Sequence, residues 1–474
     1  MKVLKLNIIV TLFTALFIFS CSEKLPLEDV NLIEQEISAN SDENFVTSKQ
    51  AAEIAEKFLS RESSVGTRAF SNATVETIRD EENNNSPAMY VINYPEGGWV
   101  IVGASRDYFP VLAYNDEGAF NMDAIPLTGL SIWTEEVKYA IRTNESFADS
   151  TKAQIRIQWL EYEEVEIKTP LGSQTRSQQA MDARIFQLSQ LYPYPNHWNY
   201  MNLDDAEFYF DNITYQNIIN MGNSLGAQLQ WTIVGIRDYN SSYSQNGPLM
   251  TTNWDQYSPF NNLCNGCAAG CAPVAIAQIM KYHKKPANLT INGTLIDWNG
   301  MLDNSATYST QLLIRGLGNE MGLNYGLLCD VFGVSKNNIK NAISAFLYSC
   351  TDASHNPNMV ATNINANLPV AMVGYRTNTL GILSNGHAWV CDGVKHWYTN
   401  VEYFVEYYVY NSYTSYYGYC SPSNPEMFYS NLYHYHMNWG EIIGNSNIGW
   451  FLDNTFPSGK EYYYGRTNFY MTPL

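Results

Sequence analysis

The chain is 474 residues long, room for two to four domains. It carries 27 Lys and Arg against 46 Asp and Glu, a formal net charge of −19, so nucleic acid and anionic membrane surfaces are excluded as electrostatic partners. With 45% hydrophobic and only 15% charged residues, it has the material for a large core and not the makeup of a disordered chain.

Residues 1–20 read as an export signal. Lys2 and Lys5 precede an apolar run from Ile8 to Phe19 that is too short for an ordinary spanning helix. The run closes on Ile18-Phe19-Ser20-Cys21, which resembles the lipobox of bacterial lipoproteins and implies lipidation at Cys21. An ordinary secretory signal with an incidental cysteine is the other reading. No later segment has the length and hydropathy of a membrane span, so the mature protein is expected to be lipid-anchored or free. Residues 21–45 form a polar, acidic tether. Of the eight cysteines, seven follow Cys21, and an odd number leaves at least one free thiol.

Thr47 or Ser48 caps a helix reaching Glu62, with Ala51, Ile54, Ala55, Phe58 and Leu59 on one face. Met89–Tyr94 and Trp99–Gly103, joined by a Pro-Glu-Gly-Gly turn, predict a hairpin, and Val111–Tyr114 predicts a third strand. A further helix is expected over Ile132–Arg142, making 46–165 a small α+β domain. Residues 166–245, rich in Gln, Asn, Tyr and Ser, show no clean periodicity. They are either a linker or an extension of a neighbour. From 246 onward the texture changes. Cys271–Lys285 begins apolar on every face, as a helix buried all round does, with Pro273 in its first turn and Pro286 at its stop. Ser335 caps a second helix carrying Ile339, Ala342, Ile343, Phe346 and Leu347. The remainder is strand-like over Pro369–Gly374, Ala388–Val394, Val401–Tyr410, Leu432–Asn438 and Gly449–Leu452. Helices first and strands later predict an α+β domain of two subdomains over 246–474.

Cys271 opens the buried helix, where N-terminal N–H groups and the macrodipole favour a thiolate. As an isolated cysteine it reads first as a buried structural residue, but Gly266 and Gly270 before it allow close backbone approach by a substrate. His387 stands at the mouth of a strand, placed to face a cleft. Asn438 is able to fix a histidine tautomer, and Trp439 to shield it from water, or else to serve as core. Cys264, Cys267 and Cys271 also have a spacing that suits a metal, with His283 as the one candidate fourth ligand. A Cys264–Cys267 disulfide or two idle thiols fit the pattern better, and neither metal nor cofactor is expected.

Taken together these segments resemble the streptopain family of papain-clan bacterial cysteine peptidases. Gly270-Cys271-Ala272-Pro273 through His283 is similar to the family's nucleophile helix. Asn385–Gly393 is similar to its catalytic-histidine segment, and His436-Met437-Asn438-Trp439-Gly440 to its Asn-Trp-Gly strand. Trp254–Asn261 resembles the segment carrying the oxyanion-hole glutamine, here Gln256. Upstream, Met89–Gly103 is similar to the family's inhibitory prosegment. The resemblance implies a papain-like catalytic domain of two subdomains behind an α+β prodomain, made as an inactive proenzyme and acting on protein or peptide substrates. It implies Cys271 as nucleophile, His387 as general acid and base, Gln256 at the oxyanion, and Asn438 and Trp439 orienting and covering His387. The prodomain is then an intramolecular inhibitor, cut from the chain within 166–250. Two segments depart from the family pattern: Glu441–Asn447, and the stretch after Gly326. A peptidase-like lipoprotein that binds glycan or protein without catalysis, and a cysteine amidase or transglutaminase, are the rival readings.

Overall fold

The computed structural model of the chain describes residues 44–62, 73–127, 129–147, parts of 151–162, 196–201, 216, 220, 228–326, 329, 334–377, 383–411, 416–420, 426–440, 447–453 and 466–474. The export signal, Cys21 and the tether lie outside these residues, as does most of 166–227.

Helix α1 (Ser48–Glu62) begins at a reciprocal cap: the Gln50 N–H donates to Thr47 Oγ1 at 3.3 Å, and the Thr47 N–H to Gln50 Oε1 at 2.9 Å. Its face of Ala51, Ile54, Ala55, Phe58 and Leu59 is buried. It covers an antiparallel meander of β1 (Thr74–Asp80), β2 (Ser86–Asn93), β3 (Trp99–Gly103) and β4 (Val111–Asn115). Strand β1 was not expected, because Glu76, Arg79 and Asp80 interrupt its apolar alternation; yet Glu76 and Asp80 are buried. Asp80 is neutralised by Arg142, 2.6 Å away, at the end of helix α2 (Leu130–Arg142).

Strands β5 (Asn196–Met201) and β6 (Gln228–Asn246) follow. Next come α3 (Cys271–His283), a two-residue hairpin of β7 (Thr290–Ile291) and β8 (Thr294–Leu295), and helices α4 (Tyr308–Glu320) and α5 (Lys336–Ala345). The chain ends with β9 (Tyr348–Ser354), α6 (Pro357–Asn365), β10 (Val370–Thr377), β11 (Leu383–Asn411), β12 (Tyr416–Cys420), β13 (Glu426–Asn438), β14 (Gly449–Leu452) and β15 (Arg466–Pro473). The strand runs expected at Ala388–Val394 and Val401–Tyr410 are one continuous strand, β11. Strand β6 pairs along it from Val394 to Tyr410, so the chain from 228 extends the C-terminal unit.

One antiparallel sheet links both units in the order β1-β2-β3-β4-β14-β13-β11-β10-β15-β9. The junction is β4 against β14, with Tyr114 opposite Trp450 and Ala113 opposite Phe451. Period-two alternation assigns the two faces of the sheet. Val370, Met372, Trp389 and Cys391 join the core shared with β1–β4, α1, α2 and α6. Ala371, Val373, Ala388 and Val390 join the core built by α3, α4 and α5. The helical subdomain therefore packs on one face of the central strands and the N-terminal unit on the other, with His387 at the end where the two approach.

Candidate active site

Helix α3 starts on Gly270, whose φ of 92° is left-handed, and a Cβ there would lie 2.9 Å from Leu323; only glycine fits. Cys271 is thereby the first helical residue, half-buried, with its thiol among the unpaired N–H groups of the first turn. Burial opposes its ionisation. The charge of the His387 ring, a hydrogen bond with that ring, and the backbone N–H groups of Ala388 and Ala272 outweigh burial and bring the thiol below its ordinary pKa. Cys271 and His387, 116 positions apart in sequence, thus meet across the cleft between α3 and β11.

His387 is also held from behind: its Nε2 lies 3.1 Å from the backbone carbonyl oxygen of Trp439. The fully buried Trp439 ring packs against Trp389, centroids 5.2 Å apart. Asn438 does something other than what the family resemblance implies. Its Nδ2 donates to the Thr252 carbonyl at 2.6 Å and to Gln278 Oε1 at 3.2 Å, and its Oδ1 accepts from the Gly440 N–H at 3.2 Å. The side chain braces the loop beneath the cleft, while the contact to the imidazole comes from the next residue's main chain.

A narrow cleft is lined by Gln256, Cys271, Val274, Ala275, Gln278, Ala388, Trp389, Asn438 and Gly440. Gln256 reaches it from a loop pinned to the nucleophile segment, where the Ala269 N–H donates to the Gln256 carbonyl at 2.7 Å. The five candidates Cys271, His387, Gln256, Asn438 and Trp439 therefore gather at one place.

Three contributors went unnoticed in the sequence. Within the buried stretch Ala272–Met280 of helix α3, Gln278 is the one polar residue, seven positions after Cys271, and that oddity was the available signal. Asp392 is buried with both oxygens used, Oδ1 2.6 Å from His436 Nδ1 and Oδ2 accepting from the Met250 N–H at 2.9 Å, which fixes β11 against β13. Gly129 comes from the N-terminal unit. A Cβ added to it would lie 2.8 Å from Trp389, 2.9 Å from His387 and 3.1 Å from Trp439. The start of α2 is thus seated directly over the His387 side of the cleft.

The cysteine pairing differs from the expectation. Cys267 is bonded to Cys329, Cα atoms 5.3 Å apart, and Cys264 is a buried free thiol. The bridge needed a partner 62 positions away, which local spacing does not reveal. It also removes Cys267 as a metal ligand, and His283 sits at the far end of α3 from Cys271. Among the described residues no group of His, Cys, Asp and Glu side chains is arranged to hold a metal ion.

No curated protein matches the chain. Among solved structures it is similar to a fragment, residues 39–359, of Prevotella intermedia prointerpain A. The identity is 13%, the match covers 84% of this chain and 98% of that one, and the TM-score is 0.43. Residues 43–141 match the family model described as Spi protease inhibitor, and residues 254–451 match the Peptidase C10 family. Residues 254–451 are thus a cysteine peptidase domain of the streptopain family, peptidase family C10, with an inhibitor domain ahead of it over 43–141.

Proposed function

We propose that the chain is an exported cysteine endopeptidase in which Cys271 is the nucleophile and His387 the general acid and base. The observation that carries this reading is the Cys271 thiol, held below its ordinary pKa by the His387 ring, in one cleft with Gln256. The thiolate attacks the peptide carbonyl carbon, forming a C–S bond and moving the carbonyl electron pair onto oxygen. The Gln256 amide and the Cys271 N–H stabilise that oxyanion, one such donor being worth ~3 kcal/mol of barrier. As the C–N bond breaks, His387 gives its proton to the leaving amine. His387 then takes a proton from water, whose oxygen attacks the thioester; the acid product leaves and the thiolate is restored. The Trp439 carbonyl holds the ring in orientation, and the rings of Trp389 and Trp439 keep its surroundings dry.

In the proenzyme the N-terminal unit occupies the approach to His387 through Gly129. Cleavage downstream of that unit frees the cleft. The export signal and Cys21 support a lipoprotein held in the bacterial envelope or at the cell surface; Cys21→Ser is expected to release the protein from the membrane fraction. The deciding experiment compares wild type with Cys271→Ala after reduction and limited proteolysis. Casein hydrolysis by wild type alone is expected; equal rates from both overturn the reading.

A further inference from the structure

The catalytic roles proposed above leave one buried polar side chain at the cleft without a task. Gln278 is 1% exposed and shares a face of α3 with Cys271, Val274 and Ala275, all lining the cleft. Its Oε1 receives two N–H groups, the Trp254 backbone N–H at 3.3 Å and Asn438 Nδ2 at 3.2 Å. Two donors converging on one atom identify it as the oxygen, so the amide orientation is settled by its partners. Its Nε2 is buried without a hydrogen-bond partner among the described residues. A buried amide with half of its bonding capacity unused is costly compared with an apolar side chain of the same shape, and the other buried residues of this helix, Ala272–Ala277, Ile279 and Met280, are apolar.

We infer that Gln278 is a positioning residue that couples the three separate pieces of the catalytic set. Its backbone belongs to the nucleophile helix. Through Trp254 its oxygen holds the loop that presents Gln256 two residues later. Through Asn438 the same oxygen holds the turn whose next residue, Trp439, gives its carbonyl to His387 Nε2. Asn438 ties that turn to Thr252 as well, so the oxyanion loop and the histidine-holding turn are joined twice, once through α3 and once directly. Loss of the Gln278 oxygen leaves the Trp254 N–H and one Asn438 hydrogen unpaired and lets the two loops drift relative to Cys271. Such drift acts on reaction geometry before it acts on substrate binding, because a displacement of about 1 Å at reacting groups costs on the order of 100-fold in rate.

The inference rests on the catalytic reading proposed above, and the test separates the two. Gln278→Met keeps the length and removes the acceptor; Gln278→Glu keeps an acceptor for both N–H groups. Each full chain is activated by reduction and limited proteolysis. It is then assayed on a peptide substrate for kcat and KM, and by iodoacetamide for alkylation of Cys271 across pH, read on the Cys271 peptide by mass spectrometry. For Gln278→Met we expect kcat lower by about 100-fold, KM within about three-fold, and the acid limb of alkylation moved up by about one pH unit. Gln278→Glu is expected to recover about ten-fold or more of that loss. A folded Gln278→Met with wild-type kcat and an unmoved alkylation profile overturns the inference, as does an equal loss in both variants with the profile unmoved. If Gln278→Met does not fold, Asn438→Asp takes its place: it keeps Oδ1 for the Gly440 N–H and drops the donor to Gln278, together with the one to Thr252. An unmoved profile there overturns the inference equally. Wild type that cleaves nothing brings down the catalytic reading, and this inference with it.

Discussion

The two walls of the cleft are built on different terms. On the helix wall, Cys271 owes its placement to local features: a left-handed Gly270, the first turn of α3, and Pro273 where no N–H is needed. On the sheet wall, His387 is held by parts from distant segments: the Trp439 carbonyl, the Trp389 and Trp439 rings, and Gly129 from the N-terminal unit. The first wall is written in neighbouring letters. The second exists only after the sheet has formed. One consequence is that damage to the helix wall changes chemistry at a single atom, whereas damage to the sheet wall changes how well a ring is aimed and covered.

Substitutions on each wall put that contrast to the test. The largest effect after removal of Cys271 itself is expected for His387→Ala, a loss of about 10⁴-fold in kcat/KM. With the ring's charge and hydrogen bond gone, only the Ala388 and Ala272 N–H groups are left to offset burial at the thiol. Alkylation of Cys271 at neutral pH should therefore slow and its profile should move upward, and an unmoved profile would mean that the helix wall activates the thiol unaided. Next is Gln256→Ala, expected to lower kcat by about 100-fold with little change in KM, measured on a peptide substrate with active-site titration. Gly129→Leu should then act in the opposite direction. It drives a side chain into Trp389, His387 and Trp439, loosens the N-terminal unit, and raises the uncut proenzyme's activity by about ten-fold. A proenzyme that stays silent would show that the start of α2 does not seal the histidine wall.

The smallest effect concerns His434, on β13. Burial first, and the Lys395 cation second, push its pKa down to about 3, so the folded chain holds it neutral. The unfolded chain protonates it near pH 6.5, binding a proton that the folded chain does not. Stability contributed at neutral pH is therefore lost as pH falls from about 6.5 toward 3, by up to roughly 1.4 kcal/mol per pH unit. His434→Leu should flatten that slope in thermal melts taken between about pH 7 and 4; an identical slope in both proteins would assign it to other groups.

The legibility of the sequence follows the same division. Helices α1, α3 and α5 were legible because caps and apolar faces are local, and so was the hairpin of β2 and β3, because a Pro-Glu-Gly-Gly turn declares it. Gln256, Cys271, His387 and Trp439 are singled out by four short segments in order, and the fold brings them to one cleft. The Trp439 carbonyl was not found, because every residue carries the same carbonyl and nothing in a side chain marks the one that is used. Asn438 attracted the orienting role through its amide, although the amide is spent on Thr252, Gln278 and Gly440. Strands β1 and β15 were missed because their buried polar residues, Glu76 and Asp80 in one, Thr467 and Asn468 in the other, break the apolar alternation. Their partners come from elsewhere in the chain, as Arg142 does for Asp80 and His355 for Asn468.

The pairing of β4 with β14 has a consequence for the life of the enzyme after activation. While the inhibitor domain is in place, Gly449–Leu452 is an inner plank whose main chain is bonded toward both sides, and Trp450 and Phe451 are roofed over. Departure of that domain strips one flank of the plank and leaves amides and carbonyls in a row beside two large aromatic rings, the kind of selvedge along which extended chains knit together. Maturation thus trades a latent but well-guarded molecule for a working one with a sticky hem. Activated enzyme should accordingly crowd into aggregates at concentrations where the proenzyme stays dispersed.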